Sequence, residues 1–214
     1  MTLETKKKKM TIVLDIHGTL IEHTPHDKEE DAKDLRLRPY FQEFMNWLFE
    51  HVENVGLWTA GTKEFATSFV RRVQPLLEKQ KFAFVWSQER CTRPRGFSIQ
   101  RTKIDTAPRK PLRKLWKSKE WQCHLPVKTT ATNTLIVDDT PDTYADNYGN
   151  GIPISSFTTQ TIEMTRQLLA LLLPFLNSNN EKIGLMIAEW AGFADLALFH
   201  LAVRLQRHSL WIRN

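Results

Sequence analysis

Two segments of this chain place aspartate directly after an apolar run. Residues 11–15 read Thr-Ile-Val-Leu-Asp, and residues 134–139 repeat the design as Thr-Leu-Ile-Val-Asp-Asp. Buried parallel strands end in this way, and open α/β sheets place their sites at the carboxyl ends of their strands. We therefore expect the carboxylates of Asp15, Asp138 and Asp139 to meet at one edge of a sheet.

Carboxylates gathered in this way suit phosphoryl transfer. Asp15 could attack phosphorus and form an aspartyl-phosphate, which splits one displacement into two. Asp138 and Asp139 could hold Mg²⁺ directly or through water, because this hard cation prefers oxygen ligands. Without the metal, carboxylate and phosphate would repel each other. The pattern predicts a magnesium-dependent phosphotransferase site.

Two further segments could bind the phosphate oxygens. Thr59, Ala60 and Gly61 follow the second predicted strand and open a helix, so that a hydroxyl and backbone N–H groups face the site with the helix dipole behind them. A lysine should neutralise the remaining negative charge. Lys110, which precedes Pro-Leu, is the first choice, with Lys114 behind it.

Strand and helix patterns alternate along the chain. Short apolar runs predict buried strands over residues 10–16, 55–59, 82–86, 135–137 and 152–154. Helical periodicity predicts helices over residues 40–52, 63–79, 112–118 and 159–176. Residues 21–36 are predicted to form a loop or small flap, and residues 88–109 a basic wall of the cleft with a short strand at 97–103. The alternation predicts a doubly wound α/β sheet.

The order of these motifs resembles the haloacid dehalogenase superfamily, in particular its NLI-interacting-factor-like branch of C-terminal-domain phosphatases. The matching segments are residues 15–19, 38–39, 58–61, 84–92, 110–116 and 133–141. The resemblance implies a Rossmannoid sheet without a large cap and an open site for phosphorylated residues of proteins. It also implies that Mg²⁺ is bound by Asp15, the backbone carbonyl of His17, and Asp138 or Asp139.

His17 departs from the family pattern, which has a second aspartate there to protonate the leaving oxygen and then to activate water. Imidazole can do both. A protonated imidazole close to Mg²⁺ is nevertheless a disfavoured cation. A phenol, with a pKa of about 10, leaves more easily than an alkoxide, so we expect phosphotyrosine to be preferred over phosphoserine or phosphothreonine. The alternative is that His17 marks a site that binds without catalysis.

Composition sets broader expectations. The chain has 214 residues, 41% of them hydrophobic, which suits one domain at 10–176 between a basic, flexible segment at 1–9 and a helical extension at 181–214. The extension leaves the oligomeric state open.

Two cysteines fit a reducing compartment. No signal peptide or membrane span is expected, so the location is cytoplasmic, with nuclear import through the lysines at 6–9 or delivery into a host cell as alternatives.

The positive charge is concentrated in one segment. Residues 90–119 hold eleven basic residues and one acidic residue, in a chain whose net charge is +6. Such a field attracts an anionic partner, whether a phosphoprotein, a nucleic acid or an anionic membrane surface. Two alternatives to a protein phosphatase follow from it: a noncatalytic module that binds phosphoprotein or nucleic acid, and a polynucleotide 3′-phosphatase.

Overall fold

A computed structural model describes residues 8–22, 35–93, 108–147 and 149–158 of the chain. Its centre is a sheet of five strands, β1 (Lys8–Leu14), β2 (Val52–Trp58), β3 (Phe84–Trp86), β4 (Thr134–Asp138) and β5 (Gly151–Pro153). All neighbouring strands are parallel, in the order β3-β2-β1-β4-β5. The doubly wound α/β sheet is confirmed. Its strand order reverses between β1 and β4, which is where such sheets bind ligands.

The helices lie on the connections between strands. They are α1 (Phe41–His51), α2 (Lys63–Val73), α3 (Arg113–Lys117), α4 (Lys119–Gln122) and α5 (Pro141–Tyr144). The helix expected over 63–79 ends at Val73, and a 3₁₀ turn at Gln74–Leu77 replaces its last part. Pro75 explains the change, because proline cannot donate the next helical hydrogen bond. The short helices α4 and α5 were not predicted, since four residues are too few to show a period.

Both faces of the sheet are covered. Residues Ile12, Val13 and Leu14 of the central strand are completely buried, which is the pattern of a strand covered on both sides. Ile12 and Leu14 pack in a cluster with the buried faces of α1 and α2. Val13 packs in a second cluster with Trp58, Trp86 and residues of α3. The register of β1 against β2 and β4 sets the position of the residues that follow each strand.

Several expectations fall outside the described residues. They concern residues 1–7 of the basic segment, residues 23–34 of the loop predicted at 21–36, the strand at 97–103, the helix at 159–176 and the helical extension at 181–214. Between Thr62 and Phe82 the chain forms only α2 and the 3₁₀ turn, so no cap is inserted there. Among the described residues, no helix has the length and apolar character needed to cross a membrane.

Candidate active site

Three carboxylates meet where the strand order reverses. Asp15 follows β1, Asp138 ends β4, and Asp139 is the next residue. Each offers an oxygen that lies within 4.8 Å of the other two. Asp15 and Asp138 are almost fully buried, at 5% and 1% exposure. The register of β1 against β4, which pairs Leu14 with Val137, brings these side chains together.

Lys110 lies between two of these carboxylates. Its Nζ donates to Asp15 Oδ1 and, over 2.7 Å, to Asp138 Oδ2. The lysine is 1% exposed, so both interactions are shielded from solvent. Asn147, also buried, holds this part of the chain: its Nδ2 donates to the carbonyl oxygen of Lys110 and its Oδ1 accepts from the amide of Leu112, each over 2.8 Å.

The neighbouring aspartates Asp138 and Asp139 have different surroundings. Asp138 accepts from the amide of Thr140 over 2.9 Å and from the hydroxyl of Thr143 over 2.7 Å, in addition to Lys110. Asp139 accepts a hydrogen bond from Ser156 and packs against the Cα of Gly18. Asp139 also accepts from its own backbone amide, and the Thr140 hydroxyl lies 3.5 Å from its Oδ1. Asp138 still has the closer set of protein donors, with the ammonium of Lys110 among them.

Burial leaves negative charge in this cluster that is not fully compensated. Desolvation raises the pKa of Asp15 to about 7, although Lys110 opposes the shift and Asp138 adds to it. Desolvation also raises the pKa of Asp139, against the hydrogen bond from Ser156. The pKa of Lys110 is raised in turn, because its two carboxylate partners outweigh its own burial. Lys110 stays protonated, and in the part of the chain that the structure describes it is the one lysine or arginine in an ion pair with these three acidic groups.

A divalent cation fits this donor set. The ligand atoms are carboxylate oxygens, which hard cations such as Mg²⁺ prefer, and their spacing allows one ion to contact more than one of them. A bound cation would also lower the raised pKa values of Asp15 and Asp139 by direct attraction. The fit therefore rests on both the type of ligand and the surplus of negative charge.

His17 lies beside the cluster, on the turn that follows β1. Its backbone forms a bridge with Ile21, and the amide of Gly18 donates to the carbonyl of Ile21 over 2.9 Å. The imidazole is half-buried and stacks on the ring of Phe65, with ring centroids 4.1 Å apart and planes 17° apart. The side chain that replaces the expected aspartate is thus held against the start of α2.

The segment from Thr59 to Gly61 forms a tight turn between β2 and α2. Thr59 is buried, and its Oγ1 accepts from the amide of Gly61 over 3.0 Å. Thr62 then caps α2 by accepting from the amide of Phe65 over 3.2 Å. Ala60 and Gly61 are half-buried. A Cβ at Gly61 would lie 3.6 Å from His17 Cε1, so this turn lies beside the imidazole of His17.

Lys114 lies apart from the carboxylates. Its Nζ donates to the backbone carbonyls of Arg90 and Cys91, over 2.8 and 3.1 Å. Those residues follow β3, and the amide of Gln88 in the same segment donates to the carbonyl of Gly61. Lys114 thus braces the segment that supports the Thr59–Gly61 turn.

Sequence reasoning singled out Arg38 only as part of a motif, and it missed Thr143, Asn147 and Ser156. Arg38 is 4% exposed and donates to the carbonyls of Gly18, Thr19 and Ser155 over 2.7 to 2.8 Å. It joins the turn after β1 to the segment after β5. Hydrogen bonds over such sequence separations leave no local pattern, so only the Arg-Pro pair itself could have drawn attention to this role.

Comparison with known families gives a match over most of the chain. A profile described as NLI interacting factor-like phosphatase matches residues 10–185. A CTD phosphatase-like protein of Invertebrate iridescent virus 3 is 34% identical over an alignment of 87 residues, and the match covers 32% of this chain and 46% of the viral protein. The chain thus spans about half the length of the curated relative that it matches.

Two solved structures have a similar course of the chain. One is the fission yeast RNA polymerase II CTD phosphatase Fcp1 bound to beryllium fluoride, with 18% identity, a TM-score of 0.43, and coverage of 85% of this chain and 51% of that one. The other is Fcp1, an essential RNA polymerase II CTD phosphatase, with 15% identity, a TM-score of 0.47, and coverage of 92% and 61%.

Proposed function

The chain belongs to the NLI interacting factor-like phosphatase family, and from this premise we propose that it is a Mg²⁺-dependent protein phosphatase in which Asp15 is the nucleophile. The arrangement of Lys110 between Asp15 and Asp138 carries the proposal. A buried lysine that binds two carboxylates keeps them in place and close to an anionic substrate. An ion pair with a purely structural role would need only Lys110 and its partners. Here a third carboxylate, that of Asp139, also has an oxygen within 4.8 Å of the other two, which suits a cation site.

The first step is attack of an Asp15 carboxylate oxygen on phosphorus. The bond from Asp15 to phosphorus forms as the bond from phosphorus to the substrate oxygen breaks, and His17 gives its proton to that leaving oxygen. Water then attacks the aspartyl-phosphate, His17 takes the proton of that water, and phosphate leaves with the carboxylate restored. Mg²⁺ supplies charge neutralisation for the phosphoryl oxygens when it is bound.

Each remaining residue has a defined part in this scheme. Asp15, Asp139 and the backbone carbonyl of His17 would hold the cation, while Asp138 binds Lys110. Lys110 and the turn formed by Thr59, Ala60 and Gly61 would bind phosphoryl oxygens. Lys114, whose ammonium is occupied by two carbonyls, supports that turn indirectly and is the weakest of the proposed substrate-binding residues.

We further propose that phosphotyrosine is the preferred substrate class. His17 carries a positive charge when it is protonated, and a bound cation beside it disfavours that form, so less of the proton donor is present. A phenolate leaving group, with a pKa of about 10, depends less on proton donation than a serine or threonine alkoxide. No cap is inserted between Thr62 and Phe82, so a phosphorylated side chain of a protein could reach the carboxylates.

The test is phosphate release from phosphotyrosine and phosphoserine/phosphothreonine peptides of matched sequence, in Mg²⁺ and in EDTA. Asp15→Asn and His17→Asp are assayed beside the parent protein. We expect metal-dependent release that Asp15→Asn abolishes, with the phosphotyrosine peptide preferred. His17→Asp should shift the preference towards phosphoserine and phosphothreonine.

Three outcomes would contradict parts of this proposal. If phosphate is released faster from 3′-phosphorylated DNA ends than from any peptide, the protein is a polynucleotide 3′-phosphatase. Equal rates on both peptides would remove the phosphotyrosine preference alone. No release by the parent, with salt-sensitive phosphopeptide or nucleic-acid binding that Asp15→Asn leaves unchanged, would indicate a binding module.

A further inference from the structure

We propose that Phe65 is a positioning residue that holds the imidazole of His17 in the orientation needed for proton transfer. The proposal rests on the proposed function of His17 as the proton donor. It adds a residue outside the phosphate-binding and metal-binding groups. Its basis is the stacked pair itself, with ring centroids 4.1 Å apart and planes only 17° apart.

Phe65 is well placed to fix another ring because it is itself fixed. It lies in the first turn of α2, and its amide donates to the Thr62 cap over 3.2 Å. Its side chain is 6% exposed and packs in the cluster that covers one face of the sheet. A ring with one face in the core and the other on His17 leaves the imidazole few rotamers. Phe65, which is fixed in α2, thereby restricts the side chain of His17 in the turn after β1.

Gly61 provides the space for this pair. A Cβ at this position would lie 3.1 Å from Phe65 Cδ1 and 3.6 Å from His17 Cε1. The first distance is closer than side chains usually tolerate, so a larger residue would press on the phenyl ring. The bare Cα of Gly61 therefore lies at the edges of both rings. His17, Gly61 and Phe65 form one packed unit.

Phe65 would act on the reaction only through His17. Proton transfer to the leaving oxygen requires the donor nitrogen within hydrogen-bond reach of it, and small displacements of a positioned group are costly. Loss of the stack should therefore slow the cleavage of esters that need a proton on the leaving oxygen. Esters with an acidic leaving group, such as p-nitrophenyl phosphate, should be affected much less. Binding of substrate should be unchanged.

The test compares Phe65→Leu, Phe65→Tyr and the matched control Phe69→Leu. Phe69 lies on the same helix, is completely buried and makes its edge contact with Phe41, so its truncation removes the same atoms without touching the stack. We measure kcat and KM for p-nitrophenyl phosphate, phenyl phosphate and a phosphoserine peptide. We also follow the ring-current shifts of the His17 imidazole by NMR.

For Phe65→Leu we expect kcat on the phosphoserine peptide to fall about tenfold or more, as partial loss of general acid catalysis implies, with a small change on p-nitrophenyl phosphate and an unchanged KM. Phe65→Tyr should restore both the rate and the NMR shifts. Phe69→Leu should lower the melting temperature without changing the dependence on the leaving group. Adding Phe65→Leu to a His17→Ala protein should have no further effect on that dependence.

Two results distinguish a failure of the Phe65 proposal from a failure of the proposed phosphatase function. If the parent releases phosphate and Phe65→Leu slows all three esters equally, as Phe69→Leu does, Phe65 is merely structural and this proposal is overturned. If the parent releases phosphate from none of the esters, the proposed phosphatase function fails and the positioning role falls with it.

Discussion

The Cα of Gly18 lies directly against the carboxylate of Asp139. A Cβ at Gly18 would overlap this group, at 2.6 Å from its Cγ, and would lie 2.8 Å from the hydroxyl of Ser156. Gly18 also has a positive φ of 71°, in the region that side chains disfavour. The turn after β1 and the acidic end of β4 therefore fit together only if residue 18 has no side chain.

Gly18→Ala should consequently displace Asp139. Gly149→Ala is the matched control, because Gly149 also has a positive φ, of 79°, but among the described residues other than its chain neighbours no atom lies within 4 Å of a Cβ built there. Backbone strain of about 1–2 kcal/mol is common to both variants, and only Gly18→Ala adds the overlap. We expect both to lower the melting temperature, Gly18→Ala by more, and Gly18→Ala alone to lose Mg²⁺-dependent phosphate release. Equal losses of activity would contradict this reading of the turn.

Lys110→Met should lower the free energy of unfolding by more than the same substitution at an exposed lysine. The substitution leaves Asp15 and Asp138 buried without their common cation, and breaking a buried ion pair from one side costs about 3–5 kcal/mol. Lys128, which is exposed, provides the control as Lys128→Met. Chemical denaturation of both variants and the parent gives the difference in unfolding free energy. A loss below about 1 kcal/mol, typical of surface pairs, would show that Lys110 is not needed to balance the cluster.

Much of this site could be predicted from sequence because the sheet does the positioning. Apolar runs locate β1 and β4, and parallel strands necessarily bring their carboxyl ends, with Asp15 and Asp138, to one edge. Lys110 was found by its motif. Short helices such as Pro141–Tyr144, and the supporting contacts of Ser156 and Asn147, could not be found, because they depend on chain segments that meet only after folding.

Asp15→Asn should stabilise the metal-free protein at neutral and alkaline pH. Burial raises the pKa of Asp15 to about 7, above the value near 3.9 of an unfolded carboxyl. The folded state then holds a proton that the unfolded state has lost, so the stability contributed by this group falls as pH rises from about 4 to 7. The asparagine lacks this titration. Its advantage in melting temperature in EDTA should therefore be large at pH 8 and small at pH 4.

That advantage should shrink when Mg²⁺ is added at pH 8, since a cation would favour the ionised form of Asp15 in the parent. The same melting curves, repeated across Mg²⁺ concentrations, measure the change. A parent whose stability rises between pH 4 and pH 8 in EDTA, relative to Asp15→Asn, would show that Lys110 outweighs the burial of this carboxylate.

Asp139 should contribute more to Mg²⁺ binding than Asp138, because Asp138 already binds Lys110. The hydrogen bond from Ser156 should hold the carboxylate of Asp139 in place. Mg²⁺ should raise the melting temperature of the parent, as any ligand of the folded state does. We expect Asp139→Asn to lose most of this increase, and Ser156→Ala to require a higher Mg²⁺ concentration for it. Asp142→Asn, in the first turn of α5, is the control outside the acidic group. If Mg²⁺ raises the melting temperature of Asp139→Asn as much as that of the parent, Asp138 rather than Asp139 is the ligand. The hydrogen bond between Ser156 and Asp139 would then be purely structural.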